Sequence, residues 1–590
     1  MTLKNNTFSL LSALILLFSM SASQAAETRT FRAGIASAHP LATQAGFEVL
    51  AAGGNAFDAA VAVSAALGVV EPFGSGLGGG GFWLLHTADG RDVFVDGRER
   101  APLAATRDMY LDKNGDVRPR ASLDGPLAAG IPGVPAALVH LAERYGRLTL
   151  AADLAPALRY AERGFPAGPA YRRMASERLA ALSADPAARV FLQGGGVPKP
   201  GFRLLQPQLA QTLRRIAQQG HAGFYAGPVA QELVRSVREA GGIWTAKDLQ
   251  SYRVIERRPI QFTYRGAKIT AAPPPSSGGV VLAEALQILD RLPMKQADRV
   301  QRMHYTIEAM RRAYQDRARF LGDSDFVAMP MQRLLSPNYA AERARGIDPE
   351  SATPSAKLSD GAAMPTQGPQ TTHFSVVDDE GNRVAGTLSL NMMFGSGFVA
   401  GSTGVLLNDE MDDFASKPGV PNVYGLVGAE ANSIAPGKRP LSSMSPTFVE
   451  DSRGVLVLGT PGGSRIISMV LLGILEYLDQ PRPDPLLIVA RPRYHHQFLP
   501  DRVQVEPASF STNTLQALEL MGHEVEVVSR RWGNMQVVFQ GRDGHMLAAS
   551  DPRGEGLGRV QSIRETTSAI PAAGRMLDEV DDYADQGFIE

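Results

Sequence analysis

The feature that most constrains this chain is a polar, proline-bearing stretch, SDGAAMPTQGPQ at residues 359–370, that opens directly into a strand-turn-strand pattern, TTHFSVVDDEGNRVAGTLSLN. Low hydrophobicity from about residue 349 to residue 370 makes this the best linker in the sequence. An exposed loop of this kind is open to cleavage, and a cut after Gln370 would make Thr371 a new N-terminus. A free threonine amine has a pKa of about 7.7–8, so near neutral pH a useful fraction is unprotonated and can take the proton of its own hydroxyl. Nucleophile and base then reside in one residue. The plain alternative is a surface loop entering an ordinary strand, and the rest of the sequence has to decide between the two.

The segments flanking the linker alternate between helical and strand periodicity. Residues 38–70 read as two small-residue helices, LATQAGFEVLAAGG and NAFDAAVAVSAALGVV, with Gly53-Gly54 as the stop and Asn55 as a cap. Period-two apolar runs follow, FWLLH and VFVDGR, and Asp89-Gly90 between them is a two-residue hairpin signal. Residues 130–289 are mostly helical, interrupted by a short strand candidate, IQFTYRGAKITAA, and residues 300–321 form a long amphipathic helix. Beyond the linker come strands TTHFSVVD, RVAGTLSLN, TFVED and GVLVLGT, the helix ISMVLLGILEYLD, and a late pair, HEVEVVS and NMQVVFQG. This order predicts a layered α/β body in which both sides of the linker build one core.

The chain has no cysteine, which excludes disulfides, a thiolate nucleophile and cysteine metal sites, so stability rests on packing. With 44% hydrophobic and 20% charged residues it has a globular composition, and a net charge of -1 does not suggest a nucleic-acid surface. Residues 1–25 read as an export signal: Lys4, an apolar run at 8–20, then Ser23-Gln24-Ala25 before a cut near Ala26. That run is too short for a stable membrane span, so the expected location is the periplasm, or the medium.

Several motifs carry chemistry, each with a plainer reading beside it. The glycine run GSGLGGGGF at 74–82 has a helix before and a strand after, the reverse of a phosphate loop, and suits a tight backbone crossing. Arg98 in VDGRERAP could grip a carboxylate by a bidentate pair, or be solvated beside Glu99 and Arg100. The acidic run NDEMDDF at 408–414 could hold calcium or an ammonium, or be an acidic turn; it lacks the glycine and alternating ligands of an EF-hand. Ser442 and Ser443 could donate to a carboxylate or serve their own turn. Gly462-Gly463, between a buried-looking strand and a helix, offers two amides for an oxyanion. His495-His496, His39 and His373 show no metal-ligand spacing.

Taken in order, DGRERAP, QTTHFSVVD, LNDEMDDF, KPGVPNVYGLVG, RPLSSMSPT and PGGSR closely resemble the γ-glutamyltransferases (γ-glutamyltranspeptidases), N-terminal-nucleophile hydrolases, over residues 33–551. The resemblance implies a four-layer αββα sandwich and a precursor that cuts itself between Gln370 and Thr371. The products would be a large chain, 26–370, and a small chain, 371–590, that stay associated as a heterodimer. It implies transfer of the γ-glutamyl group of glutathione and related compounds to water, an amino acid or a dipeptide, with no metal or organic cofactor. It places the nucleophile at Thr371, supported by Ser389, and the oxyanion at the amides of Gly462 and Gly463. Arg98, Ser442 and Ser443 would clamp the substrate α-carboxylate, while Asn391, Glu410 and Asp413 would hold its α-ammonium. Residues 418–429 match the family's lid loop, with Tyr424 over the bound glutamyl group.

Two positions depart from the commonest pattern. Ser389 stands where many members carry threonine, but it keeps the hydroxyl; Glu410 is glutamine in some members. Two competing readings remain. One is an acylase of glutaryl or cephalosporin-type amides, opposed by the intact Asp413; the other is an unprocessed amino-acid-binding homologue, opposed by Thr371, Thr372 and the glycine pair.

Overall fold

A computed structural model describes residues 30–358 and 371–564. Gln370, the signal segment and the stretch 359–370 lie outside the described residues. Two main antiparallel sheets are built from thirteen strands: β1 (Thr30–Ser37), β2 (Gly80–His86), β3 (Asp92–Gly97), β4 (Ile255–Arg257), β5 (Ile260–Tyr264), β6 (Ala267–Ala271), β7 (Thr371–Val377), β8 (Arg383–Ser389), β9 (Thr447–Asp451), β10 (Gly454–Gly459), β11 (Gln536–Gly541), β12 (Met546–Ser550) and β13 (Leu557–Arg564). The first sheet runs β13-β1-β7-β8-β2-β3-β4 and the second β12-β11-β10-β9-β6-β5. Each sheet therefore takes strands from both sides of 359–370, and neither could form from one side alone.

Alternation along the strands sorts side chains into two cores. Ile35, Phe374, Val376, Trp83 and Leu85 point to one core, closed by the helices Pro40–Ala51, Ala56–Val70, Val134–Tyr145 and Leu150–Arg163. Ala36, Val377, Ala385, Phe82 and Leu84 point the other way, into the space between the sheets and the helices Gly278–Leu289, Arg299–Phe320 and Arg465–Asp479. The result is the expected four-layer αββα sandwich. The helix Ala56–Val70 shows why alanine dominates here: it is buried on nearly every face, and small side chains let its neighbours approach closely. Asn55 caps it, accepting from the Phe57 and Asp58 amides, while Asp58 returns a bond to the Asn55 amide.

Three local expectations are corrected. The β2-β3 connection is a three-residue loop, 88–90, closed by Thr87 N to Arg91 O at 3.0 Å, with Gly90 at φ 92°. Gly90 thus serves the left-handed position after a turn instead of the two-residue form. IQFTYRGAKITAA is a full hairpin, β5-β6, because Arg265 (φ 49°) and Gly266 (φ 82°) make the tight turn. HEVEVVS does not pair with NMQVVFQG: Val525–Val527 runs parallel to Val503–Val505 in a small separate sheet, while β11 sits beside β10.

The glycine run is a backbone crossing. A Cβ on Gly78 would collide with the Leu406 carbonyl oxygen, and one on Gly79 with the carbonyl oxygen of Ser389. Gly79→Ala should therefore push β8 away at Ser389; overpacking of this kind costs about 1–3 kcal/mol. A lower midpoint in urea unfolding, together with slower turnover, is the expected result. Among the described residues no helix is long and apolar enough to cross a membrane.

Candidate functional site

The site is organised by one register. In the β7-β8 ladder Thr371 lies directly opposite Ser389, and cross-strand partners project to the same face. Their hydroxyls are 3.3 Å apart, and the Ser389 Oγ also accepts the Asn391 amide at 2.8 Å. Asn391 follows the strand at φ 76°, a conformation asparagine tolerates, and its Nδ2 donates to Asp409 O at 3.0 Å.

A small cavity of about 20 Å³ is lined by Thr371, Ser389, Asn391, Glu410, Asp413, Tyr424, Ser442, Ser443 and Gly463, with Met444 and Ile466. Arg98 stands behind the acidic pair: it donates through Nη1 to Glu410 and through Nη2 to Asp413 at 2.5 Å. Its Nε reaches Pro440 O at 3.1 Å, and Glu99 lies 3.6 Å away. Arg98 is fully buried, and the carboxylates around it hold its protonated form more firmly than usual despite the burial. Burial pushes Glu410 well above the ordinary carboxylate range and Glu99 up to about 7. An incoming ammonium would add positive charge beside these acids and favour their ionised forms.

Gly462 and Gly463 connect β10 to the helix Arg465–Asp479, and their φ values of 146° and 53° are ones glycine adopts without strain. Their carbonyls accept from Arg465 and Ile466 at 3.1 Å each, while neither glycine amide bonds to another described residue. Gly463 lines the cavity, and Gly462 precedes it in the chain without lining it. Ser442 and Ser443 are held from below: Ser277 donates through N and Oγ to Ser442 O, and Arg317 Nη2 donates to Ser443 Oγ at 3.2 Å. Tyr424 closes the top, its hydroxyl donating to Asn391 Oδ1 and its carbonyl accepting Gln497 Nε2 at 3.0 Å. The acidic run and the loop above it are tied together by Asp412, which accepts from Ser122 Oγ and from the Val423 amide.

The structure thus gathers the singled-out residues at one place, with Arg98 and Gly462 just outside the cavity wall. Sequence reasoning missed Arg317, Ser277 and Glu99. Arg317 lies on a long amphipathic helix whose sequence gives no hint that this arginine faces inward. The histidines are structural: His373 is buried against Thr387, His495 against Ser468, and His496 against Asp501. Among the described residues no group of three or more His, Cys, Asp or Glu side chains is placed to hold a metal ion.

Known proteins resemble the chain in sequence and in fold. A sequence model of the family described as "Gamma-glutamyltranspeptidase" matches residues 42–560. A "Glutathione hydrolase proenzyme" of Pseudomonas sp. (strain A14) is 46% identical over 531 residues, covering 88% of this chain and 92% of the relative. The crystal structure of a cephalosporin acylase from Bacillus halodurans superposes with a TM-score of 0.78 at 29% identity, covering 91% of this chain and 98% of that one. The Helicobacter pylori gamma-glutamyltranspeptidase gives a TM-score of 0.53 at 39% identity, covering 55% of this chain and 94% of that one. With the match spanning both sheets and the residues around Thr371, the chain belongs to the gamma-glutamyltranspeptidase family.

Proposed function

We propose that this protein is an exported, self-processing γ-glutamyltransferase and glutathione hydrolase that works through an ester on Thr371. The observation that carries the reading is the placement of Thr371 at the first position of β7, 3.3 Å from Ser389 and in one cavity with Gly463 and the acids that surround Arg98. In the precursor, Thr371 Oγ would attack the Gln370 carbonyl, the C–N bond would break in an N-to-O shift, and water would hydrolyse the ester. Thr371 is then left with a free amine. In turnover the same hydroxyl attacks the γ-carbonyl while its proton passes to that amine. The Gly462 and Gly463 amides, free of other partners among the described residues, would bear the oxyanion; losing one such donor typically costs about 10²- to 10³-fold in rate. The amine protonates the departing nitrogen, and water or an amino acid or dipeptide then attacks the ester.

Arg98, Ser442 and Ser443 would hold the substrate α-carboxylate, and Asn391, Glu410 and Asp413 its α-ammonium. A cavity of 20 Å³ has room for about one water, so Tyr424 would have to move for a substrate to enter and could then shield the ester from water. The large and small chains would stay together after the cut, because each sheet interleaves strands of both. Export rests on residues 1–25 alone.

Denaturing electrophoresis with N-terminal sequencing tests the reading. Two bands are expected, the smaller beginning at Thr371. A single band retaining residue 370 would leave an unprocessed binding protein as the better account.

A further inference from the structure

The strand that carries the nucleophile is held unevenly. β8 pairs with all of β7, from Thr371 to Val377, but β1 reaches only from Phe374 to Val377. Among the described residues, Thr371, Thr372 and His373 therefore extend past β1 with a ladder on one side only. Before the cut, Thr371 is joined through its amide to residue 370. After it, Thr371 is a terminus, and termini open locally at small cost in free energy.

Besides the Thr371–Ser389 and His373–Thr387 bonds within the β7-β8 pair, a side-chain bond ties this end to a residue outside that pair. Thr372 projects to the face opposite Thr371, and its Oγ1 donates to Glu71 Oε2 at 2.5 Å. Glu71 follows directly on the buried helix Ala56–Val70. Its amide donates to Leu67 O at 2.8 Å and its carbonyl accepts from Gly74 and Ser75, so the carboxyl is carried on fixed backbone. We propose that Glu71, through its bond to Thr372, is a positioning residue that keeps the freed end of β7 in register so that Thr371 stays opposite Ser389. Burial pushes the Glu71 carboxyl up to about 8, so near neutral pH it is mostly uncharged and an amide of the same shape could replace it. Glu71 does not line the cavity, and it would act on Thr371 only through Thr372.

The proposal rests on the γ-glutamyltransferase reading, and it is tested on the full-length precursor and its mature product with γ-glutamyl-p-nitroanilide. Thr372→Val and Glu71→Leu are each expected to lower kcat at least about tenfold, since a shift of about 1 Å at a reacting atom costs up to about 10²-fold. KM should stay within about twofold, because the residues proposed to hold the substrate do not touch Glu71. The double variant should be no worse than either single one, as expected for two ends of one bond. Glu71→Gln, which keeps an acceptor oxygen, should retain kcat within about threefold of the parent. Parent-like kcat in Thr372→Val, or a Glu71→Gln variant as slow as Glu71→Leu, would overturn the proposal. If Glu71→Leu does not accumulate, Thr372→Val and Glu71→Gln decide between the same outcomes. An unmodified protein that is itself uncut and inactive would instead overturn the reading of function.

Discussion

Thr371→Ala is expected to give one uncut chain with no measurable release of p-nitroaniline from a γ-glutamyl anilide. On the proposed mechanism the same oxygen performs both the self-cleavage and the turnover, so its removal abolishes both. Losing a nucleophile that works with its base as a unit costs on the order of 10⁶-fold in kcat. The substitution removes a few atoms from a buried position whose backbone stays in the β7-β8 ladder, so the variant should fold. Thr371→Ser keeps both hydroxyl and amine and should still be cut, more slowly. Electrophoresis and mass spectrometry check both variants. Cleavage of Thr371→Ala at the same bond would refute the self-cleavage account.

Asp413→Asn should raise KM for a γ-glutamyl anilide by about 10- to 100-fold while changing KM for the corresponding glutaryl anilide much less. A hydrogen bond to a charged group contributes about 1.5–3 kcal/mol, and the glutaryl compound has no ammonium to lose it. The amide keeps the shape of the carboxyl, so Arg98 retains one neutral and two acidic neighbours, Glu410 and Glu99, in place of three acids. The comparison also separates the γ-glutamyltransferase reading from that of an acylase of glutaryl amides. Equal rates on both anilides for the unsubstituted protein would contradict the role given to Asp413.

The local sequence was legible where chemistry acts over a few residues. Asn55 announced a capped helix, and the pattern after residue 370 announced β7 and β8. It was less legible where a turn is only two residues long: Arg265-Gly266 hides inside what reads as one strand, since arginine at positive φ leaves no compositional mark. HEVEVVS has a strand's periodicity, yet periodicity says nothing about the partner, which turned out to be Val503–Val505. Arg317 and Glu71 were missed for a related reason. A charged residue on an amphipathic or small-residue helix reads as solvated until something buries it.

By itself, then, the sequence determined the elements, the linker, the threonine that begins β7, and a set of motifs whose resemblance pointed to one family. Those are properties of propensity, turn chemistry and residue order, which act along the chain. Only the tertiary structure decided that Thr371 faces Ser389, that Thr372 reaches back to Glu71, and that Arg98 meets Glu410 and Asp413 from 312 and 315 residues away. Strand register and buried charge pairing are settled by packing two faces of a sheet at once. A one-residue slip of β7 would turn Thr371 to the opposite face, and no local signal in the sequence forbids it.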